Sequence, residues 1–457
     1  MSQPHRVEFI NDNRPRPSDP AVGKTLAILN IALGPLRERP YDIRLWDGTV
    51  QRGGAVPAAD FSLVIRRRGA LRRMLLPPSE LAIVESFISG DVEVEGNLES
   101  AMGLGDVIGS RIQSIGGIAR LIPKLLTLPR ADEPPALDAS RYTRSLRLLT
   151  PKARRSSASE IRFHYDVGND FYALWLDPRM LYTCGYYKSQ SDDLATAQIN
   201  KLNHICRKLR LQPGERMLDI GCGWGGLVIH AVENYGVIAT GITLSAAQAE
   251  WAQKKISEKG LGDRCRVEVM DFRDLPANAH FEKISSVGVT EHIPEDQQPA
   301  YFARAFRALE PRGLFLNHCE VSTRAARRTN SIVERFNRWL WKRDQFIDKY
   351  VFPDAKLVPL ASVIRSADSV GFEVRDVESL REHYTMTLRA WVRALERNEA
   401  AAIKLVGERT YRVWRLYMSA GAFGFRSASL NIVQTLLSKP DANGAAKIPL
   451  TREDIYS

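Results

Sequence analysis

The stretch MLDIGCGWGG, residues 217–226, decides the fold. Its apolar start, Arg216–Ile220, predicts a short buried strand, and helical spacing follows over Gly225–Tyr235. Glycines suit a tight turn between the two, because they let the backbone bend sharply and approach a ligand closely. Open α/β sheets bind ligands at the carboxyl ends of their strands. The sequence therefore predicts a ligand-binding loop at Leu218–Gly226.

Strands and helices alternate on both sides of this loop. The other predicted strands are Val237–Ile242, Cys265–Met270, Lys283–Gly288, Leu314–Cys319, Phe372–Val377 and Asn431–Leu436, with a helix at Ser245–Lys259. Such alternation is typical of a parallel sheet with helices on both faces. We therefore predict an α/β, Rossmann-like domain with seven strands.

The spacing of the loop indicates its ligand. D-x-G-x-G-x-G, from Asp219, is neither the G-x-G-x-x-G of dinucleotide folds nor a phosphate loop, which needs G-K-[ST]. A carboxylate beside Gly221 and Gly223 suits the ammonium group of S-adenosylmethionine. The pattern thus predicts a class I methyltransferase domain that uses this cofactor.

Two further strand ends offer cofactor contacts. Thr243 and Gln248 follow the second strand, where nucleoside hydroxyls usually lie in this fold. After the third strand, Asp271 can accept a hydrogen bond from the adenine amino group, and Phe272 can cover the ring. The alternative for this last pair is a helix cap and core packing.

Length and composition favour two domains in a chain of 457 residues. We predict disorder over 1–24, a small α+β domain over 25–130, a linker over 131–158 and the methyltransferase domain over 159–457. The polar start of the chain does not resemble a secretory signal. Five scattered cysteines indicate a reducing cytosol, with neither a disulfide framework nor a metal site.

The net charge of +11 favours an anionic partner, either nucleic acid or a membrane surface. Basic residues cluster at 66–73 and 108–157, although a solvated surface is the simpler explanation. No apolar run is long enough to span a bilayer. These features predict a cytoplasmic protein associated with the inner face of the membrane.

Several segments resemble the cyclopropane-fatty-acyl-phospholipid synthase family in sequence, order and spacing. They are Phe163–Tyr172, Leu181–Tyr187, Leu218–Gly225, Gly241–Ser245, Val287–His292 and His383-Tyr384. The resemblance covers roughly 160–437, and Phe87–Asp91 resembles part of the family's lipid-handling domain. It implies transfer of a one-carbon unit to the double bond of an unsaturated phospholipid acyl chain, giving a cyclopropane.

The resemblance also implies site residues. Tyr182 and Thr183 would contact the cofactor. A bicarbonate that acts as the base would be held by Cys184, Glu291, His318 and Tyr384. Thiol, imidazole and phenol groups can donate to a small anion. Taken alone, Cys184 and His318 are more often core residues, and Tyr384 could serve packing only.

One residue departs from the family pattern. The family usually has His-x-Ile after the fifth strand, whereas this chain has His318-Cys319-Glu320. Because two adjacent anions are unfavourable, we hypothesise that Glu320 replaces bicarbonate as the base. The product would then be a methylene branch, or a methyl branch made with a partner reductase. Alternatively, Glu320 points into solvent or toward Arg324.

The aromatic, basic segment Ile332–Phe352 suits a lid over an acyl channel or a membrane-facing helix. A nucleic-acid methyltransferase is disfavoured, because the chain lacks an Asn/Asp-Pro-Pro-Tyr-type segment. A small-molecule methyltransferase does not explain the N-terminal domain, and a lipid carrier does not need the glycine loop. A homodimer is compatible with the sequence.

Overall fold

A computed structural model describes residues 19–55, 57–58, 60–76, 79–112, 115–130, 167–323, 345–351, 357–446 and 448–456. The described residues belong to two compact units. The first comprises those of 1–97 and 103–134, and the second those of 98–102 and 135–457. Each unit builds its own β-sheet.

The first unit contains a four-stranded sheet in the order β2-β1-β3-β4. Its strands are β1 (Asp42–Leu45), β2 (Val50–Gln51), β3 (Phe61–Ile65) and β4 (Val92–Gly96). Its helices are α1 (Pro20–Leu33), α2 (Ala70–Leu75), α3 (Glu80–Ile88), α5 (Leu104–Ile112) and α6 (Ile115–Leu126), whereas α4 (Leu98–Ala101) groups with the second unit.

Helix α1 begins within the segment that the sequence predicts to be disordered. Residues 20–24, expected to be disordered, form its first turn. The Asp19 side chain accepts a hydrogen bond from the Ala21 N–H at 3.0 Å, and Pro20 occupies the first helical position. An aspartate cap followed by proline is a strong start signal for a helix, which explains the correction.

The second unit is built on seven strands. They are β5 (Arg216–Ile220), β6 (Ile238–Thr243), β7 (Cys265–Val269), β8 (Phe281–Val287), β9 (Leu309–Ser322), β10 (Glu373–Ser379) and β11 (Leu430–Ser438). The helices are α7 (Asn169–Ala173), α8 (Leu194–Lys208), α9 (Gly226–Tyr235), α10 (Ala246–Glu258), α11 (Gln298–Ala308), α12 (Gln345–Tyr350), α13 (Leu360–Asp368), α14 (Arg381–Arg397), α15 (Glu399–Val406), α16 (Glu408–Arg426) and α17 (Glu453–Tyr456).

The strand order is β10-β11-β9-β8-β5-β6-β7. Strands β7, β6, β5, β8 and β9 are parallel, and β11 pairs with β9 and β10 in the antiparallel sense. The order reverses beside β5, so the carboxyl ends of β5 and β8 flank the crevice where ligands bind in open sheets. The predicted Rossmann-like architecture is confirmed.

Strand β9 is longer than the sequence predicts and extends past Cys319 to Ser322. Strand β11 pairs with the whole final part of β9. Ile432 lies opposite Glu320, and Leu430 lies opposite Ser322. This pairing fixes Glu320 in a regular strand rather than in a loop. The helix expected from Gly225 instead begins at Gly226, because Gly225 adopts a left-handed conformation with φ of 78°.

The central strand is covered on both faces. Met217 packs in a cluster with residues of α8, α9 and α10. Leu218 and Ile220 pack in a second cluster with residues of α11 and α13. The apolar run of β5 therefore reflects burial on both sides, as parallel strands require.

Candidate active site

The glycine loop depends on backbone conformation. The N–H groups of Gly221 and Cys222 both donate to the carbonyl of Ile242, at 2.9 and 3.0 Å. Gly221 and Gly223 have positive φ values of 73° and 55°. A Cβ at Gly221 would overlap with the side chain of Val289, whereas at Gly223 it would meet nothing within 4 Å. The loop thus packs tightly at Gly221 and leaves open space beside Gly223.

Asp219 lies at the base of this loop and is 3% exposed. Its Oδ1 accepts a hydrogen bond of 2.6 Å from the Ser285 hydroxyl. Burial raises its pKa to about 7, against the opposing effects of this hydrogen bond and of the Lys201 ammonium. Near neutral pH, this carboxyl group is therefore balanced between its charged and neutral forms.

Thr243 and Gln248 are brought together after β6. The Thr243 hydroxyl donates to Gln248 Oε1 at 2.7 Å, and both residues are buried. The Ser245 side chain caps α10 by accepting from the Gln248 N–H. The pair is thus preorganised at the end of β6, where the sequence predicts the nucleoside hydroxyls.

Asp271 and Phe272 have structural partners at the end of β7. The Asp271 carboxylate accepts three hydrogen bonds from Arg273, one of them from its backbone N–H, and so caps the short 3₁₀ helix Phe272–Asp274. Phe272 packs edge-on against Tyr301, with ring centroids 5.0 Å apart. These contacts fit the cap-and-core alternative and leave the adenine contact a prediction.

The segment Leu181–Tyr187 is held between two helices. From α8, Gln198 donates to the Thr183 carbonyl at 2.8 Å, and Lys201 donates to the Thr183 hydroxyl at 2.7 Å. From α14, Thr387 Oγ1 accepts from the Gly185 N–H at 3.0 Å. These contacts fix Cys184 in the middle of the segment. Tyr182 lies in an aromatic layer with Tyr172, Trp175, Trp391 and Trp414.

Four of the predicted catalytic side chains meet although they come from separate segments. The Tyr384 hydroxyl, from α14, faces the Glu320 carboxylate and lowers its pKa. Glu291, just after β8, lies next to the backbone N–H of Glu320, which lowers the pKa of Glu291. Burial raises the pKa of the Cys184 thiol, and the nearby Glu320 charge adds to the rise. The structure thus brings Cys184, Glu291, Glu320 and Tyr384 together.

The two carboxyl groups differ in their ionisation. Burial raises the pKa of both, and the charge of Glu320 raises that of Glu291 further. The Tyr384 hydroxyl favours the ionised form of Glu320. Of the two carboxyl groups, Glu320 therefore ionises more readily than Glu291. Glu291 Oε2 is enclosed without a hydrogen-bond partner among the described residues, so this oxygen is available to a ligand.

His318 is placed differently from these four. It is 1% exposed, and its Nδ1 lies 3.4 Å from Gln434 Nε2. Burial, followed by the positive charges of Lys201 and Lys208, lowers its pKa to about 3, so the imidazole is neutral. Its described hydrogen bond leads to Gln434 rather than to the four converging side chains.

The residues present fit S-adenosylmethionine. Gly288 has a φ of 75°, and an added Cβ there would lie 3.4 Å from Thr183 Cγ2 and 3.8 Å from Glu291 Oε1. Its missing side chain keeps free the space between the predicted cofactor segment and the carboxyl pair. With the open side of Gly223 and the buried Asp219, this free space forms a cradle beside the glycine loop.

Bicarbonate fits less well. The Tyr384 hydroxyl favours the charged form of Glu320, and the Glu320 N–H favours that of Glu291, so two donors of the site lie beside carboxyl groups. A bound bicarbonate would be a further anion next to Glu320, in an enclosed place where like charges repel. The residues present favour a side-chain carboxylate over a bound anion.

Sequence reasoning missed the residues that support the site. They are Gln198 and Lys201 on α8, Ser285 on β8 and Thr387 on α14. Gln198 and Lys201 are three residues apart, which only suggests the polar face of an ordinary helix. Other predicted features, Phe163–Asp166, Arg324 and most of the proposed lid, lie outside the described residues. At the end of that lid, Phe346 and Tyr350 of α12 are buried.

Comparisons with known proteins agree with this geometry. Residues 152–435 match the family model described as "Mycolic acid cyclopropane synthetase". A "Probable fatty acid methyltransferase" from Pseudomonas putida is 35% identical over 417 residues, 91% of this chain and 96% of that protein. The cyclopropane-fatty-acyl-phospholipid synthase of Escherichia coli is 37% identical over 284 residues, 62% of this chain and 68% of that one.

Among solved structures, mycolic acid cyclopropane synthase CmaA1 complexed with SAH and CTAB superposes with a TM-score of 0.57 and 32% identity. It covers 62% of this chain and 99% of that one. These likenesses support S-adenosylmethionine as the cofactor and methylation of lipids as the activity. The chain belongs to the mycolic acid cyclopropane synthetase family and is an S-adenosylmethionine-dependent methyltransferase of the cyclopropane synthase type.

Proposed function

We propose that this enzyme methylates the double bond of an unsaturated phospholipid acyl chain, with Glu320 accepting the proton that the family's bicarbonate would otherwise take. The product is then a methylene-branched acyl chain, which a partner reductase would convert into a methyl branch. The observation that carries the proposal is the position of Glu320 next to Glu291 and Tyr384, where the charge of Glu320 raises the pKa of Glu291 and Tyr384 favours the ionised form of Glu320.

The chain's own residues supply the deprotonation. When bound, S-adenosylmethionine provides an electrophilic methyl group, and its transfer to one alkene carbon leaves a positive charge on the other. A hydride shift from the methylated carbon moves the charge there. Glu320 then takes a proton from the new methyl group, and the freed electron pair forms the C=CH2 bond. Glu291, whose pKa is raised by the charge of Glu320, leaves Glu320 as the carboxyl group that takes this proton.

The fixed position of the base favours branching over ring closure. Glu320 is anchored in β9, between the partner strand β11 and the Tyr384 hydroxyl. Such a carboxylate cannot follow a closing ring as a small mobile anion can. The carbocation on the acyl chain then has time for the hydride shift that moves the charge to the more substituted carbon. Ring closure and branching both require that water be kept from the cation, which it would otherwise trap.

The test uses monounsaturated phospholipid carrying deuterium on both alkene carbons and S-adenosylmethionine labelled with 13C in its methyl group. Proton and carbon NMR of the recovered lipid should show a 13C-labelled olefinic CH2 group and a CD2 group next to the branch. Upfield ring protons, with one deuterium left on each former alkene carbon, would overturn the proposal. Intact mass cannot replace this measurement, because the two products are isomers.

A cyclopropane is the second candidate. The observation in its favour is that Cys184, Glu291, His318 and Tyr384, which resemble the family's bicarbonate site, are all present. If the base were bicarbonate, removing bicarbonate from the buffer and adding it back would change the rate. With Glu320 as the base, the rate stays the same in bicarbonate-free and supplemented buffer.

We also propose that the first unit contacts an anionic membrane. On α6 and its end, Leu121, Leu125 and Leu128 are buried, whereas Ile122 and Leu126 are 36% and 54% exposed beside Arg120 and Lys124. Exposed apolar side chains among basic ones are typical of interfacial helices. No helix in the described ranges is long and apolar enough to cross a bilayer. Sedimentation with anionic but not neutral vesicles, weakened in L126E, would support this surface.

A further inference from the structure

The start of helix α14 carries a titratable residue, His383, that the proposed reaction has not used. Its Nδ1 accepts a hydrogen bond of 3.0 Å from the backbone N–H of Tyr187. The residue that precedes the helix, Leu380, accepts at its carbonyl from the Cys184 thiol, with Sγ and O 3.9 Å apart. One end of α14 therefore holds the chain on both sides of Gly185.

The same helix end also carries a residue of the carboxyl site. Tyr384 follows His383 directly and faces the Glu320 carboxylate. Its backbone N–H donates at 3.0 Å to the Leu380 carbonyl, the group that also accepts from Cys184. The position of Cys184 relative to Tyr384 therefore depends on how firmly the chain around Cys184 is held to this turn of α14.

Stacking holds the ring of His383 in place. It lies against the Tyr186 ring, with centroids 4.8 Å apart and an angle of 12° between the planes. Tyr186 also stacks on His204 of α8, with centroids 4.2 Å apart, and the Nε2 of His204 lies 2.7 Å from Glu378 Oε2. The stack fixes the plane of the His383 ring and so keeps Nδ1 at the Tyr187 N–H.

The hydrogen bond from Tyr187 requires a neutral His383. A backbone N–H can donate only to an imidazole nitrogen without a proton, so the His383 proton lies on Nε2, and a doubly protonated ring loses the contact. We propose that His383 is a positioning residue for the reaction, which accepts from the Tyr187 N–H and thereby holds Cys184 next to Tyr384 and the carboxyl pair. The proposal rests on the proposed function only in that these groups form the active site.

The groups around His383 set the pH range of this effect. Burial lowers its pKa, the charges of Glu378 on β10 and Glu382 on α14 oppose this shift, and His204 on α8 adds to it. The net result is a pKa below the ordinary histidine value of about 6.5. The hydrogen bond from Tyr187 is therefore present at neutral pH and is lost as pH falls below that value.

The other part of this chain segment is held from a different helix. Gln198 and Lys201 of α8 donate to the carbonyl and the hydroxyl of Thr183, the predicted cofactor contact. Loosening the chain at Tyr187 leaves these bonds in place. Loss of the His383 contact should therefore lower the rate of the reaction and leave the affinity for S-adenosylhomocysteine unchanged.

The experiment compares two variants of His383 in the full-length protein. H383N keeps an acceptor oxygen near the position of Nδ1 but does not titrate, whereas H383F keeps a ring to stack on Tyr186 but has no acceptor. Turnover of labelled S-adenosylmethionine on vesicles of monounsaturated phospholipid gives the rates, and calorimetry gives the affinity for S-adenosylhomocysteine. At neutral pH, H383F should be about threefold to tenfold slower than the wild type, as expected for one hydrogen bond, and H383N should stay close to it. Both should bind S-adenosylhomocysteine as the wild type does.

The pH dependence isolates the role of the hydrogen bond. At about pH 5, the wild type should be about threefold to tenfold slower than H383N, because its imidazole has taken up a second proton. Both proteins keep Glu320 and His204, so the contributions of these residues to the pH profile cancel in the ratio of the two rates.

Three results would overturn the proposal. They are an H383N rate as low as that of H383F at neutral pH, a ratio of wild-type to H383N rates that does not change with pH, and a loss of affinity in H383F as large as its loss of rate. If H383F does not fold, as judged by its melting curve, the ratio of wild-type to H383N rates decides. This ratio does not depend on which product forms, so its outcome is separate from that of the NMR test.

Discussion

At the end of β5, the loop from Gly221 to Gly225 owes its shape to the backbone, through left-handed glycines and hydrogen bonds to Ile242. One and two strands further along the sheet, at the ends of β8 and β9, Glu291 and Glu320 depend on side chains that enclose two carboxyl groups. The first region is local in sequence and carries one carboxyl group. The second is assembled from distant segments and concentrates negative charge.

The glycine loop and the carboxyl pair therefore suit two different tasks. A loop made of backbone presents hydrogen-bonding groups to a ligand that many enzymes of this fold share. In the proposed function, the carboxyl pair serves one chemical step, the removal of a proton from the carbocation on the acyl chain. Changes in the loop should therefore affect binding and folding together, whereas changes in the pair should affect product formation and leave cofactor binding intact.

The largest effect is expected for E320Q. Glutamine keeps the shape of Glu320 but cannot accept the proton, and loss of a general base typically costs about 100-fold to 10,000-fold in rate. In the wild type, the rate should rise with pH from the ordinary glutamate range toward neutrality, because the raised pKa keeps Glu320 protonated in acid. Turnover of labelled S-adenosylmethionine on phospholipid vesicles measures the rate of E320Q and the pH dependence of the wild-type rate.

The matched control for E320Q is E310Q. Glu310 lies on the same strand, half-exposed and 3.2 Å from Arg216 Nη2, away from the carboxyl pair. The E310Q variant should have the wild-type rate and the wild-type affinity for S-adenosylhomocysteine. A wild-type rate in E320Q, or an affinity loss as large as its rate loss, would contradict the separation of the two regions.

The next prediction compares alanine substitutions at two glycines of the loop, Gly221 and Gly223. G221A forces a Cβ into Val289 and also strains a left-handed residue, so overpacking and strain together should lower the free energy of unfolding by about 2–4 kcal/mol. In G223A the added Cβ meets no neighbour, so the free energy of unfolding should fall by only about 1 kcal/mol, through strain alone. Urea unfolding measures the two values.

The affinity of G223A for S-adenosylhomocysteine tests whether the open side of the loop faces the ligand. In G223A, the new methyl group occupies the open side of the loop, so S-adenosylhomocysteine should bind much more weakly although the fold is nearly intact. If G223A binds as tightly as the wild type, the open side of the loop does not face the ligand.

The two regions were also unequal in what the sequence could predict. The loop, its strand and its helix follow from ten consecutive residues, and β5 has the predicted bounds. The meeting of Glu291, Glu320 and Tyr384 could be anticipated only from family resemblance, because no local pattern brings together residues 29 and 64 positions apart. The resemblance also revealed that Glu320 is unusual.

Other features depend on tertiary contacts that no pattern encodes. Strand β9 runs to Ser322 because β11 pairs with it, and Lys201 is buried because the segment Leu181–Tyr187 lies over α8. A lysine on an amphipathic helix predicts a solvated side chain. Its burial follows only once its hydrogen bond to the Thr183 hydroxyl is known.

A smaller effect is expected on stability at the carboxyl pair. Because the folded pKa of Glu320 is raised, its ionisation destabilises the fold as pH rises above the glutamate range. E320Q removes this cost and should be more stable than the wild type by about 1–2 kcal/mol near neutral pH, with little difference at about pH 4.5. Thermal melts at both pH values test it. A variant that is less stable at neutral pH would show that the charge of Glu320 is compensated in the fold.

The smallest effect should come from Asp271, where the predicted ligand contact competes with a structural role. D271A removes the cap of the 3₁₀ helix Phe272–Asp274 and should lower the free energy of unfolding by about 1 kcal/mol. If Asp271 also accepts from the adenine amino group, the affinity for S-adenosylhomocysteine falls about threefold to tenfold, as expected for one hydrogen bond. D271N retains an acceptor oxygen for both roles and should stay close to the wild type. An unchanged affinity in D271A would leave Asp271 as a cap alone, and the adenine contact would then be wrong.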